Sequence, residues 1–361
     1  MDATVGSSGV SVVGDVYEDA CDLGQFFLNP CWYVFVKVEK LLKERSQRHQ
    51  SSDGTSGSSS DPSSDNSLDD GGTRTRKTKF LSNIQQIFYL TTFYVCWAVI
   101  FSRAYPLIHN SQHVSNYHMA VGYVIFASCV ASWIGAKTVG PGSITAETIW
   151  KYDNYSYDGI LYRATNNTCP TLKIRKLARS KYDRFSQTHV PRFDHYCGWL
   201  GNTIGEENYR YFLAFAMIHA VLFTYGAIIL LHLLWTSAPH SPNTMDKLVA
   251  SFWSVDIRVA AVALVCFVLA CPVLEYTRFH LTLVKRGQTT NEHYKWKEIL
   301  QQESLPVRST EEDTECPPTG DPKDTSGAVG TPQGYYNLGL AGNINEVLFP
   351  RSLRGEFNKE S

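Results

Sequence analysis

The run YFLAFAMIHAVLFTYGAIILLHLLW, from Tyr211 to Trp235, contains no Asp, Glu, Lys or Arg. A helix of about 20 apolar residues is long enough to cross the hydrocarbon core of a bilayer. Two further runs, Ile84 to Ser102 and Tyr117 to Ala136, are equally free of these charged residues and approach the same length. The sequence therefore predicts three transmembrane helices from these runs alone.

A fourth apolar run extends from Ile257 to Tyr276, with Asp256 and Arg258 at its start and Pro272 near its end. These flanking residues leave a soluble core helix as the alternative for this run. The net charge of -1 and the mean hydropathy of -0.19 do not argue against a membrane protein, because polar tails dilute apolar blocks in whole-chain averages. We predict an α-helical polytopic membrane protein with four transmembrane helices.

The distribution of basic residues predicts the orientation. The loop between the second and third runs is rich in Lys and Arg, whereas the short connections after the first and third runs carry few, so the loop is expected in the cytosol. Both chain termini then lie in the cytosol too. The basic stretch Arg74 to Lys79, just before the first run, agrees with this orientation.

The remaining segments are polar. Residues 1–50 are expected to form an N-terminal cytosolic segment, since acidic residues near the start make a poor secretory signal. Residues 51–80 are predicted to be a disordered Ser/Gly/Asp linker that ends in the basic stretch. Helices 1 and 2 are assigned to 84–136, the cytosolic loop domain to 137–208, helices 3 and 4 to 209–281, and a cytosolic C-terminal tail to 282–361.

The loop contains a candidate reaction centre at Asp194, His195 and Cys197. Only the thiolate of cysteine is a good nucleophile, so a reactive Cys197 needs a nearby base, and His195 can serve as one. A carboxylate such as Asp194 can orient the imidazole and stabilise its protonated form. Because such a triplet also occurs by chance, an ordinary polar loop is the alternative from these residues alone.

The surrounding residues carry a family resemblance. The segments are Tyr152 to Asp158, Ala178 to Lys181, Arg192 to Trp199, Gly201 to Gly205 and Asn208 to Phe212. Together they resemble the DHHC-type protein S-acyltransferases, or palmitoyltransferases, over about residues 84–349. The resemblance is to the branch found in the endoplasmic reticulum and Golgi, so one of these membranes is the expected location. It implies that 137–208 is the catalytic domain, a degenerate form of the family's cysteine-rich domain.

The resemblance implies a two-step acyl transfer with a long-chain acyl-CoA, such as palmitoyl-CoA, as co-substrate. Cys197 would take the acyl group, with His195 as base and Asp194 holding His195, and a cysteine of a membrane-associated protein would then receive it. The CoA phosphates need cationic partners. A cytosolic loop is also rich in basic residues when it binds no ligand, so this composition alone does not require CoA. The candidate contacts are Lys173, Arg175, Lys176, Arg179, Lys181 and Arg192.

Two further motifs match the family. Thr289, Thr290 and Glu292 fit its Thr-Thr-x-Glu pattern, which resembles a polar clamp near the active site; a helix N-cap is the alternative. Tyr336 and Asn343 fit a C-terminal motif whose expected role is structural packing.

Family members also bind two structural zinc ions, and here this chain departs from the pattern. Of the ligand positions, Cys169 and His189 could still bind a metal, whereas the others are occupied by Leu172, Tyr182, Asp183, Ser186, Tyr196 and Thr203. A structural zinc ion needs four nitrogen or sulfur ligands. We therefore expect no zinc, with His189 and Cys169 as packing residues and with aromatic packing and phenol hydrogen bonds in place of the metal cross-links.

Two other function classes are considered. A catalytically inactive membrane scaffold or partner-binding protein would retain the fold without the chemistry. A transporter or channel is disfavoured, because no predicted span has an Asp, Glu, Lys or Arg at its centre. The expected partners are the lipid bilayer and membrane-associated substrate proteins, with no nucleic acid, and no oligomeric state is predicted.

Overall fold

The computed structural model describes residues 70–164, 168–253, 255–303 and 334–354. Within these residues four helices are long and apolar enough to cross a membrane, namely Thr75–His109, Tyr117–Thr138, Tyr209–Ser237 and Ile257–Arg286. The four predicted spans are therefore confirmed, including the one for which a soluble helix was the alternative. The chain is a polytopic helical membrane protein with a small sheet region between its second and third spans. The N-terminal segment 1–50 lies outside the described residues.

The first span is longer than its uncharged core. It consists of helix α1 (Asp70–Val99), a π-helical turn (Ile100–Ala104) and helix α2 (Tyr105–His109). Helix α1 begins inside the segment 51–80, which was expected to be a linker. The basic stretch before the span is thus helical, because Arg and Lys favour helices nearly as well as Leu does. Residues 51–69 lie outside the described residues.

The other helices follow in chain order. They are α3 (Tyr117–Thr138), α4 (Ile149–Tyr152), α5 (Tyr209–Ser237), α6 (Thr244–Trp253), α7 (Ile257–Arg286), α8 (Thr290–Glu303), α9 (Gly339–Leu348) and α10 (Arg351–Arg354). Helix α5 is central, since it packs against both α3 and α7. Helix α7 continues past Pro272 and ends at Gly287, whose left-handed backbone (φ +65°) stops the helix and turns the chain towards α8.

Two antiparallel hairpins lie between α4 and α5. The first pairs β1 (Lys181–Asp183) with β2 (Thr188–Val190), and the second pairs β3 (His195–Cys197) with β4 (Asn202–Ile204). In the second hairpin His195 is opposite Ile204 and Cys197 is opposite Asn202. The candidate nucleophile and base therefore lie on a paired strand and not on a free loop.

The C-terminal helices pack back against the ends of the spans. Helix α9 contacts α7 and α5, and α10 contacts α4. The Asn343 side chain donates to the carbonyl of Lys285 at 3.0 Å and to Asn337 Oδ1 at 2.8 Å, and its own Oδ1 accepts from the Leu338 N–H at 3.0 Å. One side chain thus fastens α9 to the last turn of α7, beside the hairpins.

Candidate functional site

Strand β3 turns His195 and Cys197 to the same side. Successive side chains of a strand point to opposite faces, so residues two apart share a face. His195 and Cys197 are both buried, while Tyr196 between them is partly exposed on the opposite face. The strand geometry brings the imidazole and the thiol together, as the spacing in the sequence suggested.

Asp194 joins His195 to a helix that is distant in sequence. Its Oδ2 atom is 2.6 Å from His195 Nδ1. The same carboxylate accepts the backbone N–H of Thr290 on Oδ1 and the Thr290 hydroxyl on Oδ2, both at 2.8 Å. Asp194 is fully buried, so these donors replace the water that its charge would otherwise need.

The hydrogen bonds of this cluster shift its proton equilibria. Burial alone would raise the pKa of Asp194, but the hydrogen bonds from His195 and Thr290 hold it below its ordinary value. Burial alone would lower the pKa of His195, whereas its hydrogen bond to Asp194 and the neighbouring Cys197 raise it to about 9. His195 Nε2 is buried and makes no hydrogen bond of regular geometry within the described residues. This nitrogen is therefore available to a reacting group.

The candidate reaction centre lies where three spans end. Cys197 packs in one apolar cluster with Ala136 of α3, Phe212 of α5 and Val284 of α7. His195 lies edge-on to Phe212, with 4.9 Å between ring centroids. An acyl chain attached to Cys197 would therefore start at the apolar ends of the membrane helices.

His280 also belongs to this centre, and the sequence analysis missed it. Its ring centroid is 5.8 Å from that of His195 and 4.8 Å from that of Phe212, and Tyr209 Oη is 3.2 Å from its Nδ1. The predicted fourth span ended at Tyr276, one turn before this residue. If the sequence analysis had extended the fourth helix one turn beyond Tyr276, it would have included His280.

At the N-terminus of α8 the Thr-Thr-x-Glu motif forms a helix cap and also contacts the candidate site. Thr289 and Glu292 form a reciprocal capping box, with Glu292 Oε2 accepting the Thr289 N–H at 2.9 Å and Thr289 Oγ1 accepting the Glu292 N–H at 3.2 Å. Thr290 points the other way, to Asp194. The motif is thus a helix cap and a clamp on the candidate site at once.

Arg179 holds this cap against the loop domain. Its Nε and one terminal nitrogen bind the two Glu292 oxygens at 2.7 Å each, and that nitrogen also donates to the Gly287 carbonyl at 2.8 Å. The guanidinium also lies over the rings of Tyr336 and Tyr155, 4.4 and 5.1 Å from their centroids. Arg179 is 1 % exposed and adopts a left-handed backbone (φ +61°), a strained conformation that these contacts maintain.

The candidate phosphate contacts fall into two groups. Arg179 and Arg192 are buried, and Arg192 donates to the Glu346 carbonyl at 3.3 Å. Arg175 is exposed and forms an ion pair with Asp153. The remaining lysines reach the surface, with Lys173 exposed and Lys176 and Lys181 partly exposed.

Lys295 of α8 is a further cation that the sequence analysis did not single out. Its Nζ lies 5.1 Å from the ring centroid of Tyr162. Burial and the nearby charges of Lys181 and Lys176 lower the pKa of Lys295 to about 8, although Glu292 and Asp158 oppose this shift. The charges of Lys181 and Lys176 therefore lie near enough to Lys295 to act on its ammonium group.

Comparison with known proteins finds a family that resembles part of this chain. Residues 163–297, which include the Asp194 to Cys197 segment and the α8 cap, match the family model for the DHHC palmitoyltransferase. This part of the chain is similar to the DHHC palmitoyltransferases. The DHHC resemblance of the sequence is thereby confirmed.

Several proteins that resemble this chain are named palmitoyltransferases. The chain is 29 % identical to palmitoyltransferase SWF1 of Yarrowia lipolytica over 55 % of this chain and 55 % of that protein. It is 31 % identical to palmitoyltransferase ZDHHC4 of Mus musculus over 49 % of this chain and 56 % of that protein. SWF1 of Saccharomyces cerevisiae is 32 % identical over 46 % of this chain and 45 % of that protein. The chain therefore spans about half the length of these relatives.

The DHHC zinc-ligand positions hold a hydrogen-bond cluster in this chain. Asp183 Oδ2 accepts from the Thr203 hydroxyl at 2.7 Å, the Ser186 hydroxyl at 2.7 Å and the Ser186 N–H at 2.8 Å. Tyr196 pairs with Thr203 across the hairpin and stacks on Phe185 at 4.1 Å between centroids. Asp183 thus links the first hairpin to the second, whereas the sequence analysis expected aromatic packing and phenol hydrogen bonds in place of the metal and did not single out this carboxylate.

The two remaining metal-binding side chains are both buried. Cys169 and His189 are each 1 % exposed, and burial together with Lys176 lowers the pKa of His189 to about 4. Among the described residues no group of three or more His, Cys, Asp or Glu side chains is arranged to hold a metal ion.

Proposed function

We propose that this protein is a protein S-acyltransferase that moves a long-chain acyl group, such as palmitoyl, from acyl-CoA to cysteines of membrane-associated proteins. The observation that carries the proposal is the hydrogen-bonded pair of Asp194 and His195, clamped by Thr290 and placed on the same strand as the Cys197 thiol. The match of residues 163–297 to the DHHC palmitoyltransferase family model supports the same reaction.

In the first step the Cys197 thiolate attacks the thioester carbonyl of acyl-CoA. A bond forms between the Cys197 sulfur and the acyl carbon, and the bond from that carbon to the CoA sulfur breaks. Because the pKa of His195 is about 9, the imidazole holds a proton at neutral pH and can give it to the departing CoA sulfur. Asp194 stabilises the protonated imidazole through Nδ1.

In the second step a thiol of the acceptor protein attacks acyl-Cys197. His195 accepts the thiol proton, the new thioester forms on the acceptor, and Cys197 is released as a thiolate. The acyl chain lies among the ends of α3, α5 and α7 throughout, where each buried methylene contributes about 0.8 kcal/mol. This gain gives a physical reason for an enzyme embedded in the bilayer.

The CoA phosphates are assigned to the lysine group of Lys176, Lys181 and Lys295, with Lys173 as an outer member. Burial lowers the pKa of Lys295 most, repulsion by Lys181 and Lys176 lowers it further, and a bound polyanion would relieve this repulsion. Three arginines of the original candidate set are assigned to intramolecular contacts instead. They are Arg175, Arg179 and Arg192.

The proposed orientation places the hairpins and both termini in the cytosol of an endoplasmic reticulum or Golgi membrane. The basic loop supports the orientation, and the branch resemblance supports the compartment. Cytosolic acyl-CoA and cytosolic cysteines of membrane-bound acceptors then meet at the same face.

The proposed enzyme folds its loop domain without zinc. The Asp183 cluster and the stack of Tyr196 on Phe185 supply cross-links between the hairpins at four family ligand positions. Hydrogen bonds to a buried carboxylate are stronger than neutral ones, so the cluster can contribute several of the contacts that a metal would otherwise provide.

The test is autoacylation of the purified full-length protein by an alkyne analogue of palmitoyl-CoA. Wild type is expected to acquire a hydroxylamine-sensitive label that Cys197→Ser loses. Cys271→Ser is the matched control, because this thiol is exposed on α7 and would report unspecific labelling. Equal labelling of wild type and Cys197→Ser would contradict the proposal and favour the inactive scaffold.

A further inference from the structure

A polar cavity of about 330 Å³ lies behind the candidate catalytic strand. It is bounded by the start of α1 on one side and by the two hairpins on the other. Its polar lining includes Lys79, Asn83, Gln86, Ser186, Asn202 and Thr203. Tyr196 also lines it, on the face of β3 opposite to His195 and Cys197. The cavity is therefore separate from the proposed acyl-transfer site.

The α1 side of the cavity presents a cation and amide groups. Lys79, Asn83 and Gln86 are spaced by four and three residues, which places them on one face of the helix. Within the described part of the chain the side chains of Lys79 and Asn83 have no hydrogen-bond or ion-pair partner. An ammonium group beside amide donors is a suitable environment for a phosphate.

The Asp183 carboxylate also lies close to the cavity wall, where neighbouring hydrogen-bond donors stabilise its negative charge. Asp183 receives hydrogen bonds from Ser186 and Thr203, which both line the cavity, and from the Phe185 N–H at 3.2 Å. On the other side Lys137 binds Gln86 Oε1, which adds a second ammonium group near the wall. The balance of charge around the cavity is positive.

The neighbouring surface of α1 is apolar and open to the bilayer. Phe80, Ile84 and Ile87 are 65 %, 47 % and 66 % exposed and follow Lys79 along the span. Further basic residues, Arg76 and Lys77, stand immediately before them. A cluster of basic residues at the membrane end of a span is typical of sites for anionic lipids.

We propose that this cavity binds the phosphate of an anionic phospholipid headgroup, with the acyl chains along the exposed apolar face of α1. The apolar surface next to the cavity favours a lipid over a free phosphate ion. The site is coupled to the catalytic strand, since Tyr196 Oη donates to Ser82 Oγ at 3.2 Å and Ser82 donates to the Gly198 carbonyl at 2.8 Å. The binding itself does not depend on acyl transfer.

The test is a thermal-unfolding titration of the full-length protein in detergent. Short-chain phosphatidylglycerol, short-chain phosphatidylcholine and inorganic phosphate are added separately to wild type, Lys79→Gln and Lys77→Gln. The two variants remove the same charge at neighbouring exposed positions, but only Lys79 lines the cavity. Asn83→Leu is a second cavity variant, in case Lys79→Gln fails to fold.

Phosphatidylglycerol is expected to raise the unfolding temperature of wild type more than the other two additives do. Its apparent dissociation constant should rise in Lys77→Gln by about fivefold or less, the effect of one basic residue near an anionic membrane surface, and by clearly more in Lys79→Gln, whose ammonium group also lines the cavity. Equal losses in both variants would overturn the proposal, since they would indicate surface charge alone. An equal shift with inorganic phosphate or with phosphatidylcholine would also overturn it.

Discussion

Thr290 donates two hydrogen bonds to the carboxylate of Asp194, one from its backbone N–H and one from its hydroxyl, both at 2.8 Å. The N–H comes from the first turn of α8, where backbone donors have no partner within the helix. A helix N-terminus also favours negative charge. The position of α8 therefore determines how firmly Asp194 holds His195.

Replacing Thr290 by Val is expected to slow autoacylation of Cys197 by about tenfold, because a hydrogen bond to a charged group contributes about 1.5 to 3 kcal/mol. The backbone N–H bond remains in this variant, so the helix stays in place. Thr282→Val is the control, since that hydroxyl donates only to the Arg278 carbonyl. Unchanged kinetics in Thr290→Val would show that its hydroxyl has no part in the reaction.

The pH dependence of acyl transfer should change in Asp194→Asn. The hydrogen bond to Asp194 is the largest influence that raises the pKa of His195 to about 9, while burial lowers it. Without the carboxylate the lowering by burial dominates, so the limb of the rate profile that reports His195 should move to lower pH. The measurement is the autoacylation rate between about pH 6 and pH 10. A limb at the same pH in both proteins would contradict the assigned pair.

The same pair has a consequence for stability. A histidine whose pKa is raised by folding stabilises the protein fully below its unfolded pKa of about 6.5, and this contribution is lost as the pH rises through about 9. The unfolding temperature of wild type should therefore fall over this range. Asp194→Asn should show a smaller fall over the same range, measured in the same detergent.

Glu292→Gln is expected to destabilise the protein by about 3 to 5 kcal/mol, because it leaves the buried charge of Arg179 without its partner. The control is Glu275→Gln on α7, whose ion pair with Arg278 is largely exposed and should contribute at most about 1 kcal/mol. Thermal unfolding compares the two variants. Similar small effects in both would mean that the buried pair does not hold the α8 cap.

Metal removal should leave the protein folded and active. Incubation with a strong zinc chelator is expected to change neither the unfolding temperature nor autoacylation, because the Asp183 cluster occupies family ligand positions. Asp183→Ala, in contrast, should lower the unfolding temperature clearly, since Ser186 and Thr203 lose their shared acceptor. Stoichiometric zinc in the purified protein, with loss of structure on chelation, would refute this prediction.

The sequence predicted the spans well, because a long uncharged run has few alternatives to a membrane helix. The sequence analysis placed His195 and Cys197 in a loop, whereas the structure has them two residues apart on strand β3, where their side chains share a face. The contacts of Arg179 could not be predicted in this way. Glu292 lies 113 residues further along the chain, and only the packing of α8 against the loop domain brings the two side chains together.

The sequence also failed to predict the start of α1 and the role of Asp183. The charged residues before Ile84 hid the true start of α1, since hydropathy reports burial in lipid and not helix formation. Asp183 gave no sign of its role either. A lone acid in a polar loop becomes a cross-link only when the second hairpin brings Thr203 to it.

The clamp of Thr290 on Asp194 also sets an order of events during synthesis. Asp194 leaves the ribosome 96 residues before Thr290, and α5 and α7 both have to enter the membrane in between. The nascent loop therefore carries its thiol and imidazole long before the helix that steadies them exists. A chain whose synthesis stops after the third span would contain the whole Asp194 to Cys197 segment. Its Asp194 carboxylate would still lack the two hydrogen bonds from Thr290.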